Sequence, residues 1–198
     1  MVSTRFAERV RTRISIVGRI VGKTNLSPNA ITVIGLALNV VVAAVISTGN
    51  LLLGGALLLV AGAFDVVDGA VARATNQVSR FGSFFDSTMD RYADAVILGG
   101  VLLYFIEDDA GSWPIMLVFI TLVGSLMISY TRSKAESVGL RGDVGFAQRA
   151  ERVIILAAGL MLGYPVWAIG VLAVLTQFTV LQRIVHVWRE LRPIESDH

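Results

Sequence analysis

At 198 residues and 55% hydrophobic, with a mean hydropathy of +0.71, the chain is too apolar for an ordinary soluble domain and long enough for about six membrane helices. The absence of cysteine excludes thiol catalysis, cysteine-ligated metal and disulfides. No nucleic-acid partner is expected, and the formal net charge of +2 conceals a sidedness that matters more.

Residues 3–23 carry six basic residues, with Phe6, Val10, Ile14, Val17 and Val21 at helical spacing. Two readings stand for residues 1–24: an interfacial amphipathic helix, or a plain cytoplasmic positive flank. Pro28 is placed to begin a helix after a Ser27 cap, so the first spanning helix is expected over Pro28–Ser47. Residues 24–64 carry no charge and are broken by Thr48-Gly49-Asn50, which makes room for a second helix over Leu51–Ala74. The third is expected over Phe81–Ile106; its roughly 39 Å exceeds the roughly 30 Å hydrocarbon core, so its acidic start can lie near the interface. Gly54, Gly55, Gly99 and Gly100 read as close-packing positions. The fourth helix is expected over Pro114–Ser133 and the fifth over Arg149–Leu162. Gly163-Tyr164-Pro165 forms a turn, and the sixth helix follows over Val166–Trp188. The expectation is an all-α integral membrane protein, with one six-helix domain over 25–190 and a polar tail over 191–198. Trp113, Trp167 and Trp188 fit interfacial anchors, and His186 fits an interface residue.

With six spanning helices, all 17 lysines and arginines fall on one side of the membrane. The positive-inside rule then places both termini, and the acidic stretch between helices two and three, at the cytoplasmic face of the cell membrane.

That stretch, Asp65 to Asp90, sets four carboxylates where the surrounding sequence reads as membrane. Asp65 and Asp68 are spaced i, i+3, and Asp86 and Asp90 i, i+4, so each pair shares one helix face. Ionised carboxylates this close repel, and each costs roughly 2.5 to 3.5 kcal/mol at a membrane centre. Divalent cations or arginine partners must offset this, and the local Arg73, Arg80 and Arg91 are fewer than the acids. A two-metal phosphoryl-transfer site and a set of structural ion pairs are the two readings. Gly69 and Ala72 beside the acids suit either helix packing or the approach of a flat group, and Arg73 either a phosphate contact or an acid partner.

The pattern Asp65-x-x-Asp68-Gly69-x-x-Ala72-Arg73, eight residues, then Gly82-x-x-x-Asp86-x-x-x-Asp90 resembles the complete signature of the CDP-alcohol phosphotransferase family. The resemblance implies that Asp65, Asp68 and Asp86 are metal ligands for two divalent cations, Mg²⁺ or Mn²⁺. Asp90 would sit by the second metal and act as general base on the incoming alcohol. Gly69, Ala72, Arg73, Gly82 and Thr32 would lie on the cytidine side. The donor would be CDP-diacylglycerol drawn from membrane lipid, with release of CMP, and the assembly a homodimer.

Residues 129–156 resemble the corresponding region of the inositol-phosphate branch of the family, bacterial and archaeal. Carried over, Arg132, Arg152 and Arg183 would hold the phosphate of inositol 1-phosphate. Positive-inside topology alone accounts for most of these basic residues, but Arg152 and Arg183 lie within predicted helices, where an anionic partner is demanded. Ala150 departs from the proline many relatives carry. Asp94, one turn beyond Asp90, reads as supporting or structural. The alternatives are a phosphatidylglycerol phosphate or archaetidylinositol phosphate synthase, a divalent-cation transporter with its acids near the midplane, and a non-catalytic scaffold.

Overall fold

The computed structural model describes residues 27–74, 79–142 and 144–196, without the side chains of 28, 66–74 and 193–196. Six α-helices and no strand occur among the described residues: α1 Pro28–Ser47, α2 Leu51–Ala74, α3 Arg80–Glu107, α4 Ser112–Ser137, α5 Arg149–Met161 and α6 Pro165–Ser196. The expected amphipathic segment over 1–24 lies outside the described residues.

Local chemistry accounts for the helix starts. Ser27 caps α1, its Oγ accepting from the Ala30 N–H at 3.3 Å, with Pro28 in the first turn where no amide donor is needed. Ser79 caps α3 in the same way, accepting from the Gly82 N–H at 2.9 Å. Helices α3 to α6 differ from expectation at their ends, α3 by one residue at each. Helix α4 begins at Ser112 and runs to Ser137, helix α6 runs from Pro165 past Trp188 to Ser196, and α5 stops at Met161. Apolar composition marks where a helix meets lipid, whereas Arg132–Glu136 in α4 and Arg189–Arg192 in α6 are good helix formers that carry the backbone bonds onward. The polar tail expected over 191–198 is therefore helical as far as Ser196.

Helix α1 packs on α2 and α3, α2 on α5, α3 on α4, and α4 and α5 on α6. In the apolar core, Val42, Ile46, Val101, Phe105, Leu160 and Ile169 are almost fully buried. Small residues set the helix spacing. A methyl at Gly100 of α3 would stand 2.5 Å from the Ala43 carbonyl oxygen of α1, whereas one at Gly99 would meet nothing within 4 Å. Gly100 is thus a close-packing position within the chain and Gly99, expected to be one, is not. Between α4 and α6, Thr121 donates to the Ile169 carbonyl at 3.3 Å and the Gln177 amide to the Ile120 carbonyl at 3.0 Å, so polar bonds supplement packing where apolar surface supplies little drive.

Helices α1, α4 and α6 are each long and apolar enough to cross a membrane. Helix α2 contributes an apolar stretch over Leu51–Asp65, and α5 has only 13 residues.

Candidate active site

Asp65 lies on α2, and Asp86, Asp90 and Asp94 recur along one face of α3 at the i, i+4 interval. Packing brings Asp65 and Asp90 together around one cation, the guanidinium of Arg149 at the start of α5. Arg149 Nη1 stands 2.8 Å from Asp65 Oδ2 and 2.6 Å from Asp90 Oδ1, while Nε donates to Asp94 Oδ1 at 3.3 Å. Arg152, one turn on, donates through Nη2 to the other Asp94 oxygen and through Nη1 to the Ala147 carbonyl at 2.9 Å. Asp86 lies within electrostatic reach of both Asp65 and Asp90. Three carboxylates thus share two guanidinium groups at partly buried positions, where each charge needs an opposite partner.

A positive side chain in the first turn of a helix opposes the macrodipole, so Arg149 owes its place to the carboxylates and to the rigid loop before it. The Gln148 N–H donates to Glu151 Oε2 at 2.7 Å, closing the first turn of α5. The loop is fastened to α6, with the Ala147 N–H donating to Thr179 Oγ1 at 3.2 Å and Arg183 Nε to the Val144 carbonyl at 2.8 Å. Arg183 also reaches the Ile128 carbonyl on α4 through Nη1. Both Arg152 and Arg183 are buried, and their fixed bonds to carbonyl oxygens hold the planar groups in place before any ligand arrives.

A polar cavity of about 470 Å³ opens between α3, α4, α5 and α6. Asp90 and Asp94 line it together with Arg132, Arg149, Arg152 and Arg183, and hydroxyls from Ser83, Ser87, Ser129 and Ser133 complete its walls. An apolar groove of about 440 Å³ runs between α2 and α5, lined by Leu59, Gly62, Ala63, Val153 and Ile154, with Asp65 at its polar end. Arg149 and Ala150 line both spaces and form the partition between them.

The structure therefore brings Asp65, Asp86 and Asp90 together and gathers Arg132, Arg152 and Arg183 on one cavity with Asp90. Arg132 is exposed there and paired with Glu136 at 2.9 Å. Gly82 sits in the first turn of α3, with Asn29 of α1 nearby, and Thr32 is buried on α1 one turn before Gly35. A methyl at Gly35 would touch Asp65 Oδ1 at 3.4 Å, so α1 passes close beside this carboxylate. Asp68, Gly69, Ala72 and Arg73 lie on the last turns of α2, and their side chains are outside the described residues. Of the local arginines weighed as partners for the acids, Arg91 donates instead to the Ser87 carbonyl. Sequence reasoning missed Arg149 as the hub, having grouped it with the basic residues that set topology.

The donor set fits a hard divalent cation. Carboxylate oxygens from two helices already converge on a single positively charged nitrogen, and oxygen donors of this type suit Mg²⁺ or Mn²⁺. Among the described residues no group of three or more His, Cys, Asp or Glu side chains is arranged to hold a metal ion in this conformation, in which the Arg149 guanidinium stands between Asp65 and Asp90.

Comparison with known proteins identifies the family. Residues 25–188 match the CDP-alcohol phosphatidyltransferase family. The archaetidylinositol phosphate synthase of Methanothermobacter thermautotrophicus is 41% identical over 174 residues, 84% of this chain and 86% of the relative. The phosphatidylinositol phosphate synthase of Mycobacteroides abscessus is 36% identical over 82% of this chain and 77% of its own length. Among solved structures, the Mycobacterium tuberculosis phosphatidylinositol phosphate synthase with CDP-DAG bound superposes with a TM-score of 0.82 at 31% identity, covering 88% of this chain and 93% of that one. The same enzyme in complex with manganese and citrate superposes with a TM-score of 0.80, covering 88% of each chain. The chain belongs to the CDP-alcohol phosphatidyltransferase family.

Proposed function

We propose that the protein transfers a phosphatidyl-type group from CDP-diacylglycerol to inositol 1-phosphate, giving phosphatidylinositol phosphate and CMP. One observation carries the reading: the Asp90 carboxylate and the guanidinium groups of Arg132, Arg152 and Arg183 line a single polar cavity. A hydroxyl to be deprotonated and a phosphate to be held then belong to one small anionic alcohol.

Asp65, Asp68, Asp86 and Asp90 would hold two divalent cations, Mg²⁺ or Mn²⁺, which when bound neutralise the diphosphate and the charge that develops at phosphorus. Arg132, Arg152 and Arg183 orient the acceptor through its phosphate, presenting fixed donors that match phosphate oxygens. Asp90 takes the proton of the attacking hydroxyl as its oxygen bonds to the phosphatidyl phosphorus. The bond from that phosphorus to the cytidylate oxygen breaks, and CMP leaves. Gly69, Ala72, Arg73, Gly82 and Thr32 form the cytidine side, and the apolar groove ending at Asp65 lies where a lipid-linked donor can reach the acids from the bilayer.

All six helices cross the membrane in this reading, behind an interfacial segment over 1–24. The domain spans 25–190 with a polar tail over 191–198, both termini and the site are cytoplasmic, and the protein is a homodimer. The clustering of the lysines and arginines on one side supports the orientation. The archaeal relative's higher identity favours a second reading, in which the same residues and acceptor serve an ether-linked CDP-archaeol donor.

The test is CMP release by purified protein in detergent with Mg²⁺ or Mn²⁺ and CDP-diacylglycerol, comparing inositol 1-phosphate, glycerol 3-phosphate, free inositol and serine. Release with inositol 1-phosphate alone is expected. Release only with glycerol 3-phosphate would overturn the acceptor, and no release with any acceptor, with an ether-linked donor tried in parallel, would overturn the enzyme reading. Arg152→Gln is expected to raise KM for inositol 1-phosphate by about tenfold to a hundredfold, since a charge-assisted phosphate contact is lost. A fall in kcat with KM for inositol 1-phosphate unchanged would remove Arg152 from that role.

A further inference from the structure

Arg149 occupies the line on which the two substrates must meet. Its Nη1 alone joins Asp65, which faces the apolar groove, to Asp90, which faces the polar cavity. A divalent cation on Asp65 Oδ2 and Asp90 Oδ1 would compete with the guanidinium that now holds these same oxygens, because two positive charges at such close range repel. A second seat for the guanidinium already exists. Asp94 is held through Nε, a different nitrogen from the one that bridges Asp65 and Asp90, and Asp94 is itself fixed by Arg152. The backbone at the start of α5 is fastened by Glu151, Thr179 and Arg183, so the side chain can swing while the helix stays.

We propose that Arg149 is a displaceable counter-cation: it neutralises Asp65 and Asp90 in the metal-free protein, yields both when a divalent cation binds, and remains tethered to Asp94. Without it, Asp65, Asp90 and Asp94 would face one another across the α2–α3–α5 junction, with Arg152 on Asp94 the remaining guanidinium ion-paired to them among the described residues. The inference rests on the reading of Asp65 and Asp90 as metal ligands.

The test uses the full chain in detergent and compares wild type, Arg149→Gln, Arg149→Lys and Asp65→Asn by thermal unfolding and by calorimetric titration with Mn²⁺. Without metal, Arg149→Gln is expected to melt below wild type, and saturating Mn²⁺ to bring the two melting temperatures together, because the cation replaces what the substitution removed. With its competitor gone, Arg149→Gln is expected to bind Mn²⁺ about tenfold more tightly than wild type, and Arg149→Lys to fall between. Should Arg149→Gln not survive purification without metal, Arg149→Lys carries the comparison alone, with tighter binding than wild type supporting the proposal. Unchanged or weaker Mn²⁺ binding in the Arg149 variants, with binding lost in Asp65→Asn, overturns the proposal and leaves the metal reading in place. Wild-type affinity in Asp65→Asn overturns the metal reading and the proposal with it.

Discussion

Asp90→Asn is expected to lower CMP release by about a thousandfold or more while leaving the helices assembled. The replacement keeps the shape of the side chain and removes both its charge and its capacity to take a proton. Its fold is protected because Arg149 retains Asp65 and Asp94, so no guanidinium is stranded without a partner. The measurement is turnover with saturating CDP-diacylglycerol and inositol 1-phosphate, alongside the melting temperature in detergent. Activity within tenfold of wild type would take Asp90 out of the proton-transfer step. A transporter or a scaffold would show no such selectivity between catalysis and stability.

A large loss of stability is expected from Gly100→Ala. The added methyl would lie 2.5 Å from the Ala43 carbonyl oxygen and 2.8 Å from the Ala43 Cα, so it meets backbone that cannot rotate away. Helices α1 and α3 must part, at a cost of about 3 kcal/mol, the upper end for an overpacked core. The neighbouring Gly99→Ala meets nothing within 4 Å and should change stability by less than about 0.5 kcal/mol. Thermal unfolding of the two variants side by side distinguishes a local clash from a general intolerance of alanine in this part of α3. Equal melting temperatures would show that α1 and α3 can separate freely at this crossing.

The contrast between these adjacent glycines shows what sequence can and cannot yield. Composition marks both as small residues in a membrane helix, but the direction each faces depends on the crossing of α1 and α3, which no local pattern encodes. The order and kind of all six helices were legible because charge-free runs are long and their breaks carry turn residues. The helix ends were not, since polar residues such as Arg189 and Glu190 continue a helix as well as apolar ones do. In the site, the i, i+4 recurrence of Asp86 and Asp90 marked one helix face, and the burial of Arg152 and Arg183 followed from charges placed within predicted helices. Arg149 escaped notice because its partners stand 55 to 84 positions away in sequence and because a helix start is an unfavourable address for a cation. Its only trace was the shortage of arginines near the acids.

Helix α5 has a further consequence for where the chemistry takes place. Its 13 residues make a rod of about 20 Å, roughly 10 Å less than the hydrocarbon thickness. In the proposed arrangement with all six helices crossing, a helix this short would leave its Arg149 end beneath the plane of the lipid headgroups, and a local thinning of the bilayer would bring water and polar solutes down to it. The charged acceptor would then descend into a dent whose depth is set jointly by a short helix and by the surrounding lipid. Thicker, stiffer membranes would resist the dent, so the physical state of the bilayer would become a control on the making of its own headgroups.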